Sequence, residues 1–506
     1  MKQNSRKDAI LLLVLLVIFI TDGFAQAGNL DSTFNNDGQV ITYPAGNDIA
    51  ATYSVAVQSD EKIVAVGYYK ESMSGYYSVF LTRYNSDGSL DSSFGSLGKS
   101  FGSDGEGKSI AIQQDGKIIV GGTSLDGDAI LNRFNTDGSF DDSFVLASLI
   151  SGIYEISSVS IEPDGKIIAA GSNSDFAVIK CMFNGSLDST FGNNGEVNTS
   201  IGIGASAANS VALQSDGKIL VAGYSNNGAD DDFTLVRYNT NGTLDSSFNN
   251  DGILTTDFGS NDQANSIAIQ SDGKIVVAGV SDSDFAVIRY SQDGTPDSSF
   301  GIDSKLTTAI GISDDEAHSV AIQSDGKIVA AGFSNTSFTV YPHYNFALVR
   351  YKIDGTLDNT FGSVGIGITD FYATYGSKAY SVIIQSDGKI VAAGLADNAF
   401  AIARYLSGLN VGVLDLSNKN FSTLVYPNPI SSQVILQYIL KTGECISISL
   451  FDMQGNKVQT FINSETRNQG ENKEVLDLDE ALPSGNYILS ISNGVHQQSI
   501  KVTVMR

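Results

Sequence analysis

The decapeptide QSDGKIVVAG, Gln270 to Gly279, decides the fold. Close copies begin at Gln58, Gln113, Gln214, Gln323 and Gln385, and a variant begins at Glu162. On either side of Asp272-Gly273 lie SIAIQ and KIVVAG, short runs rich in Ile, Val and Ala. Asp-Gly between two such runs is a hairpin signal, and a tight primed turn with positive φ is expected there. A third run, FAVIRY (Phe285 to Tyr290), follows; after the connector SQDGTPDSSFGIDS comes a fourth, KLTT. Each copy therefore marks a unit of four short antiparallel strands. KIVVAG and FAVI are apolar on both faces, whereas a sheet with one wet face alternates. Each sheet must be covered on both sides, and its neighbours in the repeat are the cover. That describes a β-propeller.

The register says how the ring closes. The turn lysines Lys62, Lys117, Lys166, Lys218, Lys274, Lys327 and Lys389 recur at roughly the spacing of propeller blades. Variants of LDSSF also occur seven times, with Phe at Phe34, Phe94, Phe144, Phe191, Phe248, Phe300 and Phe361. The first precedes any hairpin, and the last hairpin (Ser381 to Gly394) has none after it. A ring explains this, because an N-terminal strand closes the final blade and leaves no edge bare. The expected fold is all-β: a seven-bladed β-propeller closed by Gln39 to Tyr43, followed by a small C-terminal β-sandwich.

SDGKIVVAG and FAVIRYNxDGxLDSSFGxxG, at this spacing, resemble the delta-60 repeats of secreted bacterial proteins over Asn29 to Tyr405. That resemblance implies a propeller-like β fold and carries no established chemistry. After Tyr405 the pattern stops. Residues 406–422 read as linker, and short strands are expected at VILQYIL, ISISLFD, KVQTF, NYILSI and SIKVTV. YPNP (Tyr426 to Pro429), SLFDMQGNKV (Ser449 to Val458) and LPSGNYILSI (Leu482 to Ile491) resemble the type A C-terminal sorting domain of type IX secretion cargo. The resemblance implies a Gram-negative cell, export through the periplasm, the type IX machinery as partner, and a mature protein that is secreted or held on the outer surface. The expected domains are a signal peptide at 1–25, the propeller at 26–405, the linker at 406–422 and the sorting domain at 423–506.

The N-terminus agrees with export. Lys2, Arg6 and Lys7 precede an apolar run from Ala9 to Ile20 and then Gly23-Phe24-Ala25, a secretory signal with cleavage expected after Ala25 and Ala27 as the alternative. Its twelve apolar residues are too few to span about 30 Å of hydrocarbon. The 506-residue chain carries a formal net charge of −26, which repels nucleic acid and anionic membrane. Cys181 and Cys445 fall in different domains, and Cys181 stands where other repeats place Tyr or Phe.

Function is sought where the repeats differ. The step from the third-strand Arg (Lys180 in one unit) to the LDSSF Phe is 11 residues wherever it occurs, whereas the other two connections vary. The varying connections share one face of the disc, the face opposite the Asp-Gly turns, and this is the candidate functional face. The repeated Arg, eight residues before the Asp of LDSSF, is read as architecture rather than as an anion site. The NxDGxLD segments lack the Gly and Glu of a helical calcium hand and are read as Asx-turns. Asp128, Asp175, Asp232 and Asp284 begin third strands near the variable face. Strand-end capping is the favoured reading of these four, with a cation or polyol as the alternative; no metal site and no cofactor are assigned. The histidines are His318, His343 and His496, and no catalytic arrangement stands out. Tyrosines are the exception to the polar loops: Tyr341, Tyr344, Tyr372, Tyr375, Tyr43, Tyr53, Tyr68, Tyr69, Tyr76 and Tyr77 come from units six, seven and one, which adjoin in a closed ring. Flat rings with polar tips suit sugars or a partner protein. The expected function is a non-catalytic binding or adhesion propeller; a glycan-processing enzyme and a ligand-free structural repeat are the alternatives.

Overall fold

The computed structural model describes residues 26–43, 48–72, 75–144, 152–337, 342–374, 376–408, 421–426, 432–440, 442–452, 457–479, 482–483, 485–493 and 497–504. The signal segment, most of the linker, Tyr341, Tyr375 and His496 lie outside the described residues. The chain divides into two compact units, residues 1–409 and 410–506.

The first unit is seven antiparallel sheets. Blade five runs Asp262–Ile269, Ile275–Ser281, Asp284–Tyr290, Lys305–Thr308, in that spatial order. Blades one, three, four and six repeat it, and blade two shows its first three strands among the described residues. Blade seven takes its fourth strand from the other end of the chain. Gln39–Thr42 pairs antiparallel with Ala399–Tyr405, with Val40 opposite Ile402 and Thr42 opposite Phe400. Around this seam the Asp31 N–H donates to the Arg404 carbonyl, and the Arg404 N–H to the Gly38 carbonyl.

Two details explain the repeated phrase. At the turn, the Gly273 N–H donates to the Gln270 carbonyl and the Gln270 N–H to the Lys274 carbonyl. Gly273 alone of the turn residues has positive φ, +85°. This is a three-residue type I turn with a glycine bulge, which corrects the expected primed turn. The Asp272 carboxylate accepts the Lys274 N–H at 3.1 Å, an Asx contact that leaves only the glycine to adopt the left-handed conformation. The second glycine, Gly279, serves the first strand. That strand bulges at Asn265, between the pairs Ala264–Gly279 and Ser266–Ala278. A Cβ on Gly279 would lie 1.9 Å from the Gln263 carbonyl oxygen. The equivalent glycines of all seven blades (Gly67, Gly122, Gly171, Gly223, Gly332 and Gly394 besides) meet the same obstacle at 1.7–1.9 Å. The phrase ends in glycine because the bulge occupies the space of a side chain.

In six blades the serine after the bulge links to the next blade. The hydroxyls of Ser109, Ser158, Ser210, Ser266, Ser319 and Ser381 accept the backbone N–H of Val159, Val211, Ile267, Val320, Val382 and Val55, at 3.0–3.3 Å. The last of these runs from blade seven to blade one. Between blades lie apolar layers, such as Val276, Val287, Phe300, Ile328 and Val349 between blades five and six.

The second unit is two antiparallel sheets around one core that includes Leu436, Ile448, Leu450, Leu489 and Val502. One sheet holds Phe421–Tyr426, Gln433–Leu440 and Gly470–Asp477; the other holds Lys457–Arg467, Glu444–Phe451, Gly485–Ser492 and Gln497–Val504. Phe421–Tyr426 begins inside the stretch read as linker. Gly470–Asp477 was not foreseen either: GENKEVLD is mostly polar, and its pairing with Gln433–Leu440 makes it a strand.

Candidate functional site: the aromatic arc at the axial mouth

The repeated charges are framework. Arg289 Nε donates to Asp297 Oδ2 at 2.8 Å, and Nη1 donates to the Ile353 carbonyl of blade six at 2.5 Å. Its guanidinium lies over the Phe300 ring at 4.6 Å, and Lys274 Nζ reaches the same carboxylate at 3.0 Å. Arg83, Arg133, Arg237, Arg350 and Arg404 likewise pair with Asp91, Asp141, Asp245, Asp358 and Asp31, and each donates to a carbonyl of the next blade. Blade three departs from the pattern in two linked positions. Lys180 replaces Arg, and Glu162 replaces Gln to pair with it at 2.7 Å. These cations are spoken for. The connectors are Asx-turns, as in Asp87, whose Oδ1 accepts both the N–H and the hydroxyl of Ser89.

The first strands of neighbouring blades contact one another in a closed circuit, so they surround the axis. Their bulged residues form a ring with one member per blade: Tyr53, Lys108, Ser157, Asn209, Asn265, His318 and Tyr380. Four of the seven are amide, hydroxyl or amine. Asn209 and Asn265 donate to the carbonyls of Ala264 and Ala317. The remaining three are aromatic, and they extend outward along the second and third strands as an unbroken arc. The contacts run Tyr77–Tyr68 (5.2 Å between centroids), Tyr68–Tyr53 (5.8 Å), Tyr53–Tyr380 (5.4 Å), Tyr380–His318 (4.9 Å), His318–Phe333 (5.4 Å) and Phe333–Tyr344 (5.1 Å). Seven rings span blades one, seven and six.

The arc takes in four of the tyrosines singled out from the sequence: Tyr53, Tyr68, Tyr77 and Tyr344. Tyr43, Tyr76 and Tyr372 are exposed residues, at 57%, 64% and 90% exposure. Tyr69 sits elsewhere. Its ring packs on Phe80 and Phe101, and its hydroxyl donates to Asp48 at 2.6 Å, which pushes the phenol up to about 12. The structure places Tyr53, Tyr68, Tyr77 and Tyr344 in strands rather than in the loops expected for them, and Tyr380, His318 and Phe333 join them as strand residues absent from the loop set. The residue before each first-strand serine was the available signal: it changes from blade to blade within an otherwise repeated run.

The arc carries little charge. Burial raises the phenol pKa of Tyr53 and Tyr68, and pushes that of Tyr380 up to about 12. Burial, with Lys378 nearby, lowers His318 to about 4, so its ring is neutral at neutral pH. Lys378 Nζ lies 3.7 Å from the Phe333 centroid and 4.0 Å from that of Tyr344. Burial lowers its pKa and raises that of Glu316, although each charge opposes the shift of the other. Val280, Ser283, Asp314, Asp315, Phe333 and Tyr344 are among the residues lining a cavity of about 220 Å³ at this end of the arc. A larger cavity of about 930 Å³ opens among the turns of blades three to five, lined by Gln214, Asp216, Gly217, Gln270 and Gly273. Those are residues of the repeated phrase, which every blade needs for its hairpin.

The four candidate aspartates differ in setting. Asp128 is exposed, Asp175 accepts the Ser200 hydroxyl at 2.7 Å, Asp284 is half-buried, and Asp232 is buried beside Asp257 and Asp262. Cys181 is buried in the layer between blades two and three, where burial pushes its thiol up to about 12; it and Cys445 are free thiols.

Seven blades closed about an axis, followed by a separate two-sheet unit, define a β-propeller protein with a tail domain of its own. The beta-propeller family described as a domain of unknown function (DUF5122) matches in seven blocks, residues 58–94, 113–144, 162–191, 214–248, 270–300, 323–361 and 385–411. Residues 424–505 match the secretion system C-terminal sorting domain. The chain belongs to these propellers, and its tail makes it cargo of type IX secretion in a Gram-negative cell, secreted or on the cell surface. No curated protein matches the sequence. Similar solved structures include PorZ, a surface component of the type-IX secretion system of Porphyromonas gingivalis (11% identity, TM-score 0.41, 92% of this chain and 60% of that one). They also include YCF48 bound to D1 peptide (11%, 0.43, 75% and 97%) and Sqt1 from Chaetomium thermophilum (12%, 0.40, 71% and 97%). The chain thus spans under two thirds of PorZ, and likenesses this distant carry no argument about function. Among the described residues no helix is long and apolar enough to cross a membrane.

Proposed function

We propose that the propeller is a non-catalytic binding module that takes a glycan on the face opposite the Asp-Gly turns, in the sector of blades six, seven and one. The observation that carries this reading is the arc of seven rings from Tyr77 to Tyr344. The hydrophobic faces of sugar rings stack on such platforms, and the phenol tips bond hydroxyls. Carboxylates flank the arc: Glu106 bonds Lys108, whose ammonium sits 4.0 Å from the Tyr53 centroid, and Glu316 borders the cavity beside Tyr344. They supply acceptors for sugar hydroxyls. The chain has no Trp, so tyrosine and phenylalanine provide its large stacking surfaces.

The test is a polysaccharide binding and cleavage screen on the purified protein, followed by Tyr68→Ala and Tyr344→Ala. Each is expected to lower affinity about tenfold or more, which corresponds to losing about 1.4 kcal/mol of ring stacking. Tyr69→Ala, off the arc, is expected to leave binding intact. Binding that survives both arc substitutions refutes the placement, and glycan cleavage by the wild type refutes the non-catalytic assignment.

A further inference from the structure

The junction between blades four and five gathers three carboxylates. Asp232 is the second residue of the third strand of blade four (Asp231–Tyr238), Asp257 follows its fourth strand, and Asp262 begins blade five. Each offers an oxygen within 4.8 Å of those of the other two. Asp262 is fully buried and Asp232 is 7% exposed, while Asp257 faces solvent. Among the described residues no Lys, Arg or His pairs with any of them. Lys305 Nζ bonds the Asp257 carbonyl instead, at 2.5 Å.

Asp232 supplies a second observation. Its Oδ2 accepts from Asn227 Nδ2 at 2.9 Å, but its Oδ1 is buried and has no hydrogen-bond donor. A buried carboxylate oxygen without a donor, on a group with two further carboxylates within 4.8 Å, is unfavourable unless a cation or a proton compensates it.

Asp315 Oδ1 at the next junction is likewise buried without a donor, so what sets the junctions apart is their count of acids. Between blades five and six Asp284 and Asp315 recur, but Ala309 stands in the place of Asp257. Between blades three and four the set is Asp175, Ser200 and Ser206, and the Ser200 hydroxyl donates to Asp175. Between six and seven it is Asn345, Asp370 and Ser377. Among the described junctions, only that of blades four and five places an acid at all three positions.

We propose that Asp232, Asp257 and Asp262 bind a calcium ion at this junction. All three donors are carboxylate oxygens, which suit a hard cation, and the set lacks the nitrogen and sulfur donors typical of zinc sites. They come from two strand ends and a loop of adjacent blades, so the ion ties the blades together, with entry from the Asp257 side.

The experiment uses the full chain, stripped with chelator and titrated with calcium chloride by calorimetry and thermal melting. The wild type is expected to bind a calcium ion that Asp257→Ala does not bind, and its Tm to rise by about 3 °C at calcium 100-fold above Kd. Asp257→Ala reproduces the Ala309 junction and is expected to fold, with circular dichroism as the check. Asp232→Asn is expected to abolish the calcium-dependent rise and to raise the Tm of the stripped protein, because it removes one of three like charges. A calcium-dependent rise kept in either folded variant overturns the site. So does no response in the wild type up to about 10 mM, beyond the weakest affinities of extracellular calcium modules. Tighter binding of magnesium than of calcium overturns the choice of ion.

Discussion

Asp31→Asn tests ring closure with a single atom exchange. Asp31 is 1% exposed and is the carboxylate that faces Arg404 (2.8 Å) and Lys389 (3.3 Å), both on the far side of the seam. Asp245 does the same work within blade four, facing Arg237 (2.7 Å) and Lys218 (3.3 Å). Arg404 and Arg237 are each 3% exposed, so losing the opposing charge leaves a buried guanidinium uncompensated. Removing one partner of a buried pair costs about 3–5 kcal/mol. Residues 26–405 should unfold with an entropy of about 0.8 kcal/mol/K, so the Tm should fall by about 4–6 °C. Asp245→Asn should fall by a similar amount, because a ring has no distinguished junction. The assay is a thermal melt at neutral pH, followed by circular dichroism and calorimetry. If Asp31→Asn melts with the wild type while Asp245→Asn falls, the N-terminal segment is not holding the ring, and the closure argument fails.

Two further outcomes follow from the same network. Glu162→Gln should destabilise by about 3 kcal/mol, because it leaves Lys180 buried and unpaired; adding Lys180→Arg should recover much of the loss by restoring the Gln–Arg pair of the other blades, as a double-mutant cycle in urea would show. Acid should unfold the propeller through its LDSSF carboxylates. Hydrogen bonds from Thr190 and Lys166 outweigh burial to hold Asp188 at about 2, and Ser247, Lys218 and Arg237 likewise hold Asp245 at about 2. Folded values below the ordinary 3.8 mean that this stability is complete above about pH 4 and is lost as the pH falls towards 2, with net proton uptake on unfolding. Melts across pH 2–5 that stay flat would contradict this.

The ring was legible in the sequence because each blade repeats the residues that make it a blade: the glycine under the bulge, the Arg–Asp pair, the Phe beneath the guanidinium. Closure was legible from phase alone, since LDSTF at Leu30 precedes its hairpin and the hairpin at Ser381 lacks its LDSSF. The primed turn was misjudged because Asp-Gly fits both turn families, and the choice between them rests on the contact from Asp272 to the Lys274 N–H. The candidate arc was half visible. Tyrosines from distant parts of the chain could be gathered by ring closure, but Tyr380, His318 and Phe333 sit inside runs that read as repeat framework, and the bulge and the axial geometry bring them into line. Tyr68 and Tyr69 show the limit most plainly: adjacent in a strand, they point to opposite faces, and Tyr69 joins Phe80 and Phe101 instead. The carboxylate cluster was invisible except for Asp232, because Asp257 meets it from the end of the neighbouring strand and Asp262 from across the blade junction.

The strand before the tail, Ala399–Tyr405, is an interior one, with Gln39–Thr42 on one side and Ile390–Ala396 on the other. Beyond it the Leu406 N–H donates to the Asn29 carbonyl, the Leu406 carbonyl accepts the Gly28 N–H, and Ser407 gives its carbonyl to Arg350. Ala27, buried and bonded through its carbonyl to the Gly362 N–H, anchors the opposite end against blade six. Chain entry and chain exit are thus stitched together. Mechanically, a pull on the tail loads two rows of hydrogen bonds at once, along the strand rather than across it, so they must yield together instead of unzipping one by one. The seam that completes the seventh blade is also the anchorage by which the ring resists being unravelled from its C-terminal side.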